Sequence, residues 1–318
     1  MITKKILIFG ASGQVGRHCI RRLVKNNYKI IAVTRNLHQK GYILKTQAPI
    51  GYLDVVQVNI FEEKKLDELL SDVDICINLI GILFEKNKLN SFDNIHSNFP
   101  KILAEKCKLK KIDFLHLSAL GIEKASNSQY AKSKIKGENY IKDILPNAVI
   151  VKPSLVYSQD DNFSTRFLSI LSIAPIFPIY YEGKTKFTPI HASDLADLIF
   201  YIISNKIHSK TIEALGPEEL TFKEIIIKLS NCINKKRFLF PMPYFLAKMT
   251  TLFLQTFPNP LITLDQLNLL KYDNVKSENN TSNFDIGCPS KKKFEEAVMK
   301  YAYTWREGGQ FSVKKNSD

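Results

Sequence analysis

The chain has few of the features that mark disulfide, zinc or membrane-spanning proteins. Its five cysteines (Cys19, Cys76, Cys107, Cys232, Cys288) form no CxxC pair and no metal-ligand spacing. A disulfide framework or a zinc site is therefore not expected, and a reducing compartment is. Met1 to Lys5 leads straight into an apolar run, without the pattern of a secretory signal peptide. No stretch reaches the roughly 18 uninterrupted apolar residues of a membrane-spanning helix. The nearest are Phe167–Tyr181, broken by Pro175 and Pro178, and Phe238–Phe257, broken by Pro241, Pro243 and Lys248. Negative charge is also scarce: 31 acidic residues stand against 45 Lys and Arg, a net charge of +14. That balance favours acidic partners such as phosphates, anionic lipid or nucleic acid, although a Lys-rich, Asn-rich proteome bias with solvated lysines gives the same number. Among His96, His116 and His191 no pair has i,i+4 spacing and no carboxylate accompanies them, so packing or surface roles are expected of them and no metal is. His191, just before a helix start, is the one placed to line a cleft.

What is present is an alternation. A length of 318 residues with 45% hydrophobic and 24% charged residues fits one large α/β domain or two smaller ones, and excludes a mainly disordered chain. Short apolar runs, KKILIFG, YKIIAVTR, VVQVNI, Ile75–Gly81, Asp113–Gly121 and Ala148–Tyr157, read as strands. Helical patterns separate them at Val15–Asn26, Glu63–Leu70, Ile95–Leu109 and Ala131–Ile144. Near-continuous apolar strands alternating with helices predict a parallel sheet covered on both faces, hence a doubly wound α/β (Rossmann) sheet. The second half is less regular. Ser193–Ile203 reads as a helix capped by Ser193 or Asp194, and Thr221 with Glu224 fits a capping box. Lys276–Asn283 reads as an exposed loop. A smaller, mainly helical C-terminal region is expected, with the domain boundary after residue 235: residues 1–235 for the Rossmann domain, its cofactor core 1–158, and residues 236–318 for substrate or partner docking.

GASGQVG puts Gly10, Gly13 and Gly16 between the first strand and the first helix. Gly10 permits the tight turn, Gly13 lets the backbone approach a pyrophosphate, and Gly16 allows close helix–strand packing. The helix N-terminus then offers free N–H groups to phosphate. At the end of the second strand an NAD site usually carries a carboxylate for the ribose 2′-hydroxyl. Here Thr34 and Arg35 stand there, with no carboxylate until Asp54. Arg35 can pair with a 2′-phosphate, so NADP(H) is expected over NAD(H).

Ser118 ends the strand DFLHLS, and Tyr130 and Lys134 follow in YAKSK at i and i+4, on one helical face. A neighbouring ammonium favours the phenolate and lowers the tyrosine pKa. The phenol can then exchange a proton with a substrate oxygen that Ser118 holds by a hydrogen bond. Asn59 and Asn78 are expected to satisfy loop backbone groups near an adenine.

In this order GASGQVG, Asn59, NLIG (Asn78–Gly81), HLSALG, YAKSK and KPSLVYS (Lys152–Ser158) resemble the extended and atypical short-chain dehydrogenase/reductase superfamily, also described as NAD-dependent epimerase/dehydratase-like. NLIGILFE, FTPIHASDLADLI, LFPMPYFLAKM, PNPLITLDQLNLLKYDNV and the closing YTW resemble a subgroup: the dehydrogenase-like accessory subunit of NADH:ubiquinone oxidoreductase (complex I) and its bacterial homologues. The resemblance spans about 300 residues. It implies catalytic-type residues Ser118, Tyr130 and Lys134, and a nucleotide shell of Gly10, Ser12, Gly13, Gln14, Val15, Gly16, Arg35, Asn59, Ile60, Leu79, Ile80, Gly81, Ser118, Tyr130, Lys134, Pro153 and Ser154. Ser158 stands where many relatives have glycine, which questions the shape of that loop.

Two functions follow from different premises. The resemblance implies an NADP(H)-holding accessory or regulatory factor of complex I or of quinone metabolism, with respiratory-complex subunits or a membrane surface as partners. It would be cytoplasmic in a bacterium or matrix-like in a mitochondrion, and peripheral at the inner membrane. The retained Ser118, Tyr130 and Lys134 argue instead for a working NADP-dependent oxidoreductase or epimerase on a small carbonyl or alcohol. Nucleic-acid binding is not expected, because aromatic and basic residues are not interleaved. The apolar PMPYFLAKMTTLFLQTF stretch is expected to be a core helix of the smaller region, with an exposed docking face as the alternative.

Overall fold

The structure, a computed structural model, describes residues 4–257, 260, 262–278 and 280–311. The basic terminal residues Lys314 and Lys315 lie outside the described residues. The chain divides into two compact units that it enters and leaves repeatedly. Unit 1 takes the chain up to Pro153, then Ala192–Ala214 and Ser277–Cys288; unit 2 takes Ser154–His191, Leu215–Lys276 and the chain from Pro289 on.

Unit 1 alternates as the apolar pattern requires: β1 (Lys5–Phe9), α1 (Gln14–Val24), β2 (Lys29–Thr34), α2 (Leu37–Lys45), β3 (Leu53–Gln57), α3 (Glu63–Leu69), β4 (Ile75–Asn78), α4 (Phe99–Lys110), β5 (Asp113–Leu117), α5 (Gln129–Ile144), β6 (Val149–Pro153), α6 (Ala192–Ser204), β7 (Thr211–Ala214) and β8 (Thr281–Ser282). Its sheet runs β8-β7-β6-β5-β4-β1-β2-β3, and every neighbouring pair is parallel. The order reverses between β1 and β4, the switch point at which such sheets open a crevice. Right-handed crossovers put α1 and α2 on one face and α4 and α5 on the other. Ile6, Leu7, Ile8 and Phe9 in β1 are fully buried, each worth about 1.5–3 kcal/mol. That exceeds any single cap, so the strands place the sheet. Phe9 meets Phe99 of α4 edge-on at 5.2 Å. Beside α1, Asp197 of α6 lies 2.8 Å from Arg22 Nε, and the same guanidinium lies over the Phe200 ring.

The polar stretch expected as a loop supplies β8. Thr281 and Ser282 pair with Ile212 and Glu213 of β7, and buried Glu213 accepts from the Ser277 N–H, the Ser277 hydroxyl and Asn280 Nδ2 at 2.9, 2.5 and 2.9 Å. A carboxylate on β7 thus organises a segment with no apolar period. The helix expected to be capped by Ser193 or Asp194 begins at Ala192, with Asp194 in its first turn.

Unit 2 is mainly helical, with helices Ser164–Ile173, Phe222–Cys232, Tyr244–Leu254, Leu264–Leu269 and Phe294–Ala302. Its core joins Tyr157, Leu168, Leu171, Phe177, Ile225, Ile226, Leu229, Phe294 and Val298. The capping box at Thr221 and Glu224 is formed. Ser158 adopts no left-handed backbone. Its N–H donates to Asp161 Oδ2 at 3.1 Å, so serine fits that loop without glycine's freedom.

The expectation of a core helix around residues 244–254 is corrected. The helix forms, but only Ala247 and Thr251 are buried, while Phe245, Leu246, Met249, Leu252 and Phe253 are exposed. The small side chains at i and i+4 face inward, so the large ones must point away.

Candidate functional site

The glycine loop joins β1 to α1 beside the end of β4. Gly10 has φ +79°, and a Cβ there would meet Leu79 C at 3.0 Å and Ile80 N at 3.1 Å. Both the turn and the approach of the β4 loop exclude a side chain. The Gly13 N–H donates to Gly10 O at 3.0 Å, closing the turn. A Cβ at Gly16 would sit 2.5 Å from the carbonyl oxygens of Gly10 and Ala11, so the helix can lie this close only with glycine. Gly13 differs: it is exposed, and a Cβ there would touch only Gly10 O at 3.2 Å. The space above it is open for a ligand. Gly13 is the extended N-cap of α1, no side chain caps the helix, and its first turn holds no acidic residue. The first-turn N–H groups have no intrahelical acceptor, so a pyrophosphate fits the cradle in both shape and charge. Ser12, Gln14 and Val15 are half-buried around it.

At the end of β2, Thr34 is buried and Arg35 exposed, its Nη1 3.3 Å from Asn90 Oδ1. Asn36 caps α2 through Gln39 N. Asn59 accepts from Phe61 N at 3.2 Å, and Asn78 accepts from Ile80 N at 3.1 Å. Ile60 is a core residue with 5% exposure. Pro153 closes β6, its carbonyl accepting from Leu120 N. Ser154 belongs to unit 2, where its hydroxyl lies 2.5 Å from Asn274 Oδ1. His191, also in unit 2, meets Tyr157 edge-on, and burial, then Lys292 and Lys300, pushes its pKa down to about 4.

Helix α5 carries Tyr130, Lys134 and Glu138 at successive i+4 steps; its N-cap is Ser128, accepting from Ala131 N. Lys134 is buried and donates to Leu117 O at 3.1 Å; a Cβ on Gly81 would stand 3.5 Å from its Nζ. Burial lowers its pKa to about 8, against the opposing pull of Glu138. Tyr130 is half-buried, its ring edge-on to His96 at 5.1 Å and to Phe92 at 5.9 Å. His96 ties this helix to the β4 loop. Its Nε2 accepts from Ile82 N at 3.0 Å, which leaves Nδ1 to donate to Ser133 Oγ at 3.0 Å, and Ser133 donates to Tyr130 O. Burial first, then Lys134 and His116, drives the His96 pKa far down, so the ring is neutral. His116, fully buried, contacts Asn78 Nδ2 through Nδ1 at 3.1 Å.

Ser118 does not stand alone. Its hydroxyl donates to Glu138 Oε1 at 2.5 Å, and the buried Lys152 amine lies 3.3 Å from the same carboxylate and also meets Glu123. Burial raises the Glu138 pKa, opposed by Ser118, Lys142 and Lys134. Burial lowers that of Lys152 to about 8, opposed by Glu213. Sequence reasoning missed Glu138 and Lys152. Two signals were available: a lone lysine inside the apolar strand AVIVKP needs a buried counter-charge, and Glu138 repeats the Tyr130–Lys134 spacing.

Comparison with known proteins accords with this geometry. The model of the NAD dependent epimerase/dehydratase family matches residues 6–214. NADH dehydrogenase [ubiquinone] 1 alpha subcomplex subunit 9, mitochondrial, of Dictyostelium discoideum is 27% identical over 220 residues, 69% of this chain and 61% of that protein. The chain therefore spans less than two thirds of that relative. The Arabidopsis thaliana protein of the same name is 24% identical over 315 residues, covering 95% of this chain and 78% of its own. Among solved structures, DesIV (dTDP-glucose 4,6-dehydratase) of Streptomyces venezuelae with NAD and TYD bound shares the fold at TM-score 0.69 and 14% identity, covering 95% of this chain and 96% of that one. With a glycine cradle at the β1–β4 switch point and a family match across more than half its length, the chain belongs to the NAD dependent epimerase/dehydratase family.

Proposed function

We propose that this protein holds NADP(H) as an accessory or regulatory factor of respiratory complex I or of quinone metabolism, peripheral at the membrane, with residues 236–318 as its partner-docking part. The nucleotide would supply hydride chemistry or, held without turnover, rigidity. Gly13 and the first turn of α1 would receive the pyrophosphate, Arg35 the 2′-phosphate, and Lys134 the nicotinamide ribose. One observation carries the accessory part: the Ser118 hydroxyl is donated to the internal carboxylate of Glu138. Its single proton is thereby engaged inside the fold instead of being offered to a substrate oxygen. The mitochondrial relatives support the same assignment by name.

A second reading is favoured by the amine of Lys134, buried one turn after Tyr130 and lowered to about 8. That pair suits a phenol exchanging a proton during hydride transfer by an oxidoreductase or epimerase. Native mass spectrometry of protein purified from its host tests the first reading. Retained NADPH with respiratory subunits attached is expected. Protein that emerges without nucleotide, or whose Gly13→Val variant keeps NADPH, would overturn it.

A further inference from the structure

Helix Tyr244–Leu254 of unit 2 is amphipathic in the reverse of the usual sense. At about 100° per residue, Ala247 and Thr251 form a narrow inner stripe, and both are buried. Leu252, Phe245, Met249, Phe253 and Leu246 then fill an arc about 120° wide, centred about 180° from that stripe. All five are exposed: Phe245 at 70%, Phe253 at 66% and Met249 at 54%. Phe257 continues the patch, its ring edge-on to Phe253 at 5.6 Å.

The stretch of sequence that carries this arc has charge of one sign, while of the segments packed against the helix Tyr180–Gly183 brings Glu182, paired with Lys184, and Leu264–Leu269 brings Asp265. Between Glu224 and Asp265 there is no acidic residue, whereas Lys228, Lys235, Lys236, Arg237 and Lys248 lie in that stretch. Lys228 pairs with Glu295 and Lys235 with Glu307, and Arg237 donates to the carbonyls of Leu171 and Ser172. Lys236 and Lys248 have no ion pair among the described residues. Thr250, at the arc's other edge, donates back to Leu246 O and Ala247 O at 2.9 and 3.0 Å. The arc thus offers almost no hydrogen-bonding group that would select a protein partner, and Lys248 at its edge, with the basic stretch before the helix, suits anionic headgroups. At 11 residues the helix is too short to cross a bilayer, and no described helix is long and apolar enough to do so.

We propose that this helix lies in the plane of an anionic membrane surface, its Phe–Leu–Met arc among the acyl chains and Lys236 and Lys248 at the headgroups. The inference deepens the peripheral-membrane part of the proposed function and is independent of its nucleotide part.

Flotation of the full-length chain with vesicles tests it. Binding is expected to phosphatidylcholine vesicles containing phosphatidylglycerol, and much weaker binding to phosphatidylcholine alone. Phe245→Ser with Phe253→Ser should weaken binding to the anionic vesicles about a hundredfold or more, the loss expected from two buried phenyl rings. Both side chains are exposed, so folding and NADPH affinity should be unchanged. Lys236→Glu with Lys248→Glu should abolish the preference for anionic lipid. Absence of wild-type binding, or binding that survives the double serine variant, would overturn the proposal. So would a self-associated chain in sedimentation that the serine variant dissolves while vesicles stay unbound, because the occupant would then be a second copy. Vesicle binding without NADPH binding would sink the nucleotide reading and leave this one standing.

Discussion

Ser118 and Glu138 are joined by a 2.5 Å hydrogen bond, buried beneath the end of β5 and backed by Lys152. The carboxylate has left water and is held by the Ser118 hydroxyl and the Lys152 ammonium, with Lys142 3.8 Å away. Glu138→Gln keeps an acceptor for Ser118 but removes a charge that faces Lys152, leaving Glu123, whose side chain is half exposed, and the charge of Glu213. Breaking a buried ion pair from one side costs about 3–5 kcal/mol, and the Glu123 contact should hold the loss near the lower end. Lys152→Met should cost a similar amount, and the double variant less than the two losses added. Chemical denaturation of the three variants checks this. Simple additivity would mean that the pair is not energetically coupled.

Arg35 tests the proposed choice of cofactor. Its guanidinium is exposed at the end of β2, with Asn90 the neighbour seen in the structure. Arg35→Ala should weaken NADPH by about 1–3 kcal/mol, the range for a hydrogen bond to a charged group, and NADH by much less. Titration calorimetry with both cofactors measures the difference. Equal losses would show that Arg35 does not meet the 2′-phosphate.

The buried histidines should make the fold acid-labile. His96 and His116 both have pKa values lowered mainly by burial. The folded rings stay neutral where the unfolded rings, near 6.5, take up protons. The unfolded state then binds more protons, so stability is full above about pH 6.5 and falls as the pH drops, by about 1.4 kcal/mol per unit for each histidine. Glu138, raised by burial, has the opposite sign: its carboxylate is penalised in the fold, so stability falls as pH rises from 4.5 through its folded pKa. Comparing the stability slope of wild type and His96→Gln between pH 4.5 and 6.5 isolates the histidine. An identical slope in both would contradict the assignment.

The alternating strands and the glycine loop were legible in the sequence because a sheet buried on both faces needs unbroken apolar runs, and because the β1–α1 turn needs glycine at Gly10 and Gly16. α2 was not. LHQKGYILK buries only Gly41 and Leu44, too few to print a helical period. β8 was hidden for a related reason: two residues pairing through the backbone leave no side-chain pattern. The helix at 244–254 was legible as a helix, but not for which face it buries, since Ala247 and Thr251 carry the contact while the phenyl rings carry the hydrophobicity. Around the candidate site, YAKSK pointed to Tyr130 and Lys134 but not to Glu138, because a glutamate on an amphipathic helix is ordinarily solvated. Only the fold brings Lys152 and Ser118 to it.

Tyr130 separates the two functional readings. Tyr130→Phe keeps the ring packed against His96 and Phe92 and removes only the hydroxyl. If Tyr130 is an acid–base group, turnover of a carbonyl or alcohol substrate should fall about 10²–10⁴-fold with NADPH affinity little changed. Lys134→Ala should damage both functions, since its amine would hold the ribose and tune the phenol. That tuning also sets a pH limit. Lys134 is cationic below its lowered pKa of about 8 and neutral above it, so NADPH affinity should decline as pH rises through that value, and Lys134→Arg should shift the decline upward. For an accessory factor the outcome differs. Host respiration or quinone content should be unaltered in Tyr130→Phe but reduced in Lys134→Ala, through loss of bound nucleotide and the stability it confers. The engagement of Ser118 by Glu138 favours this second pattern, because a hydroxyl already donated inward must break its own bond before it can hold a substrate. A host defect in Tyr130→Phe as severe as in Lys134→Ala, at equal protein level, would reverse the order and make the phenol a working catalyst.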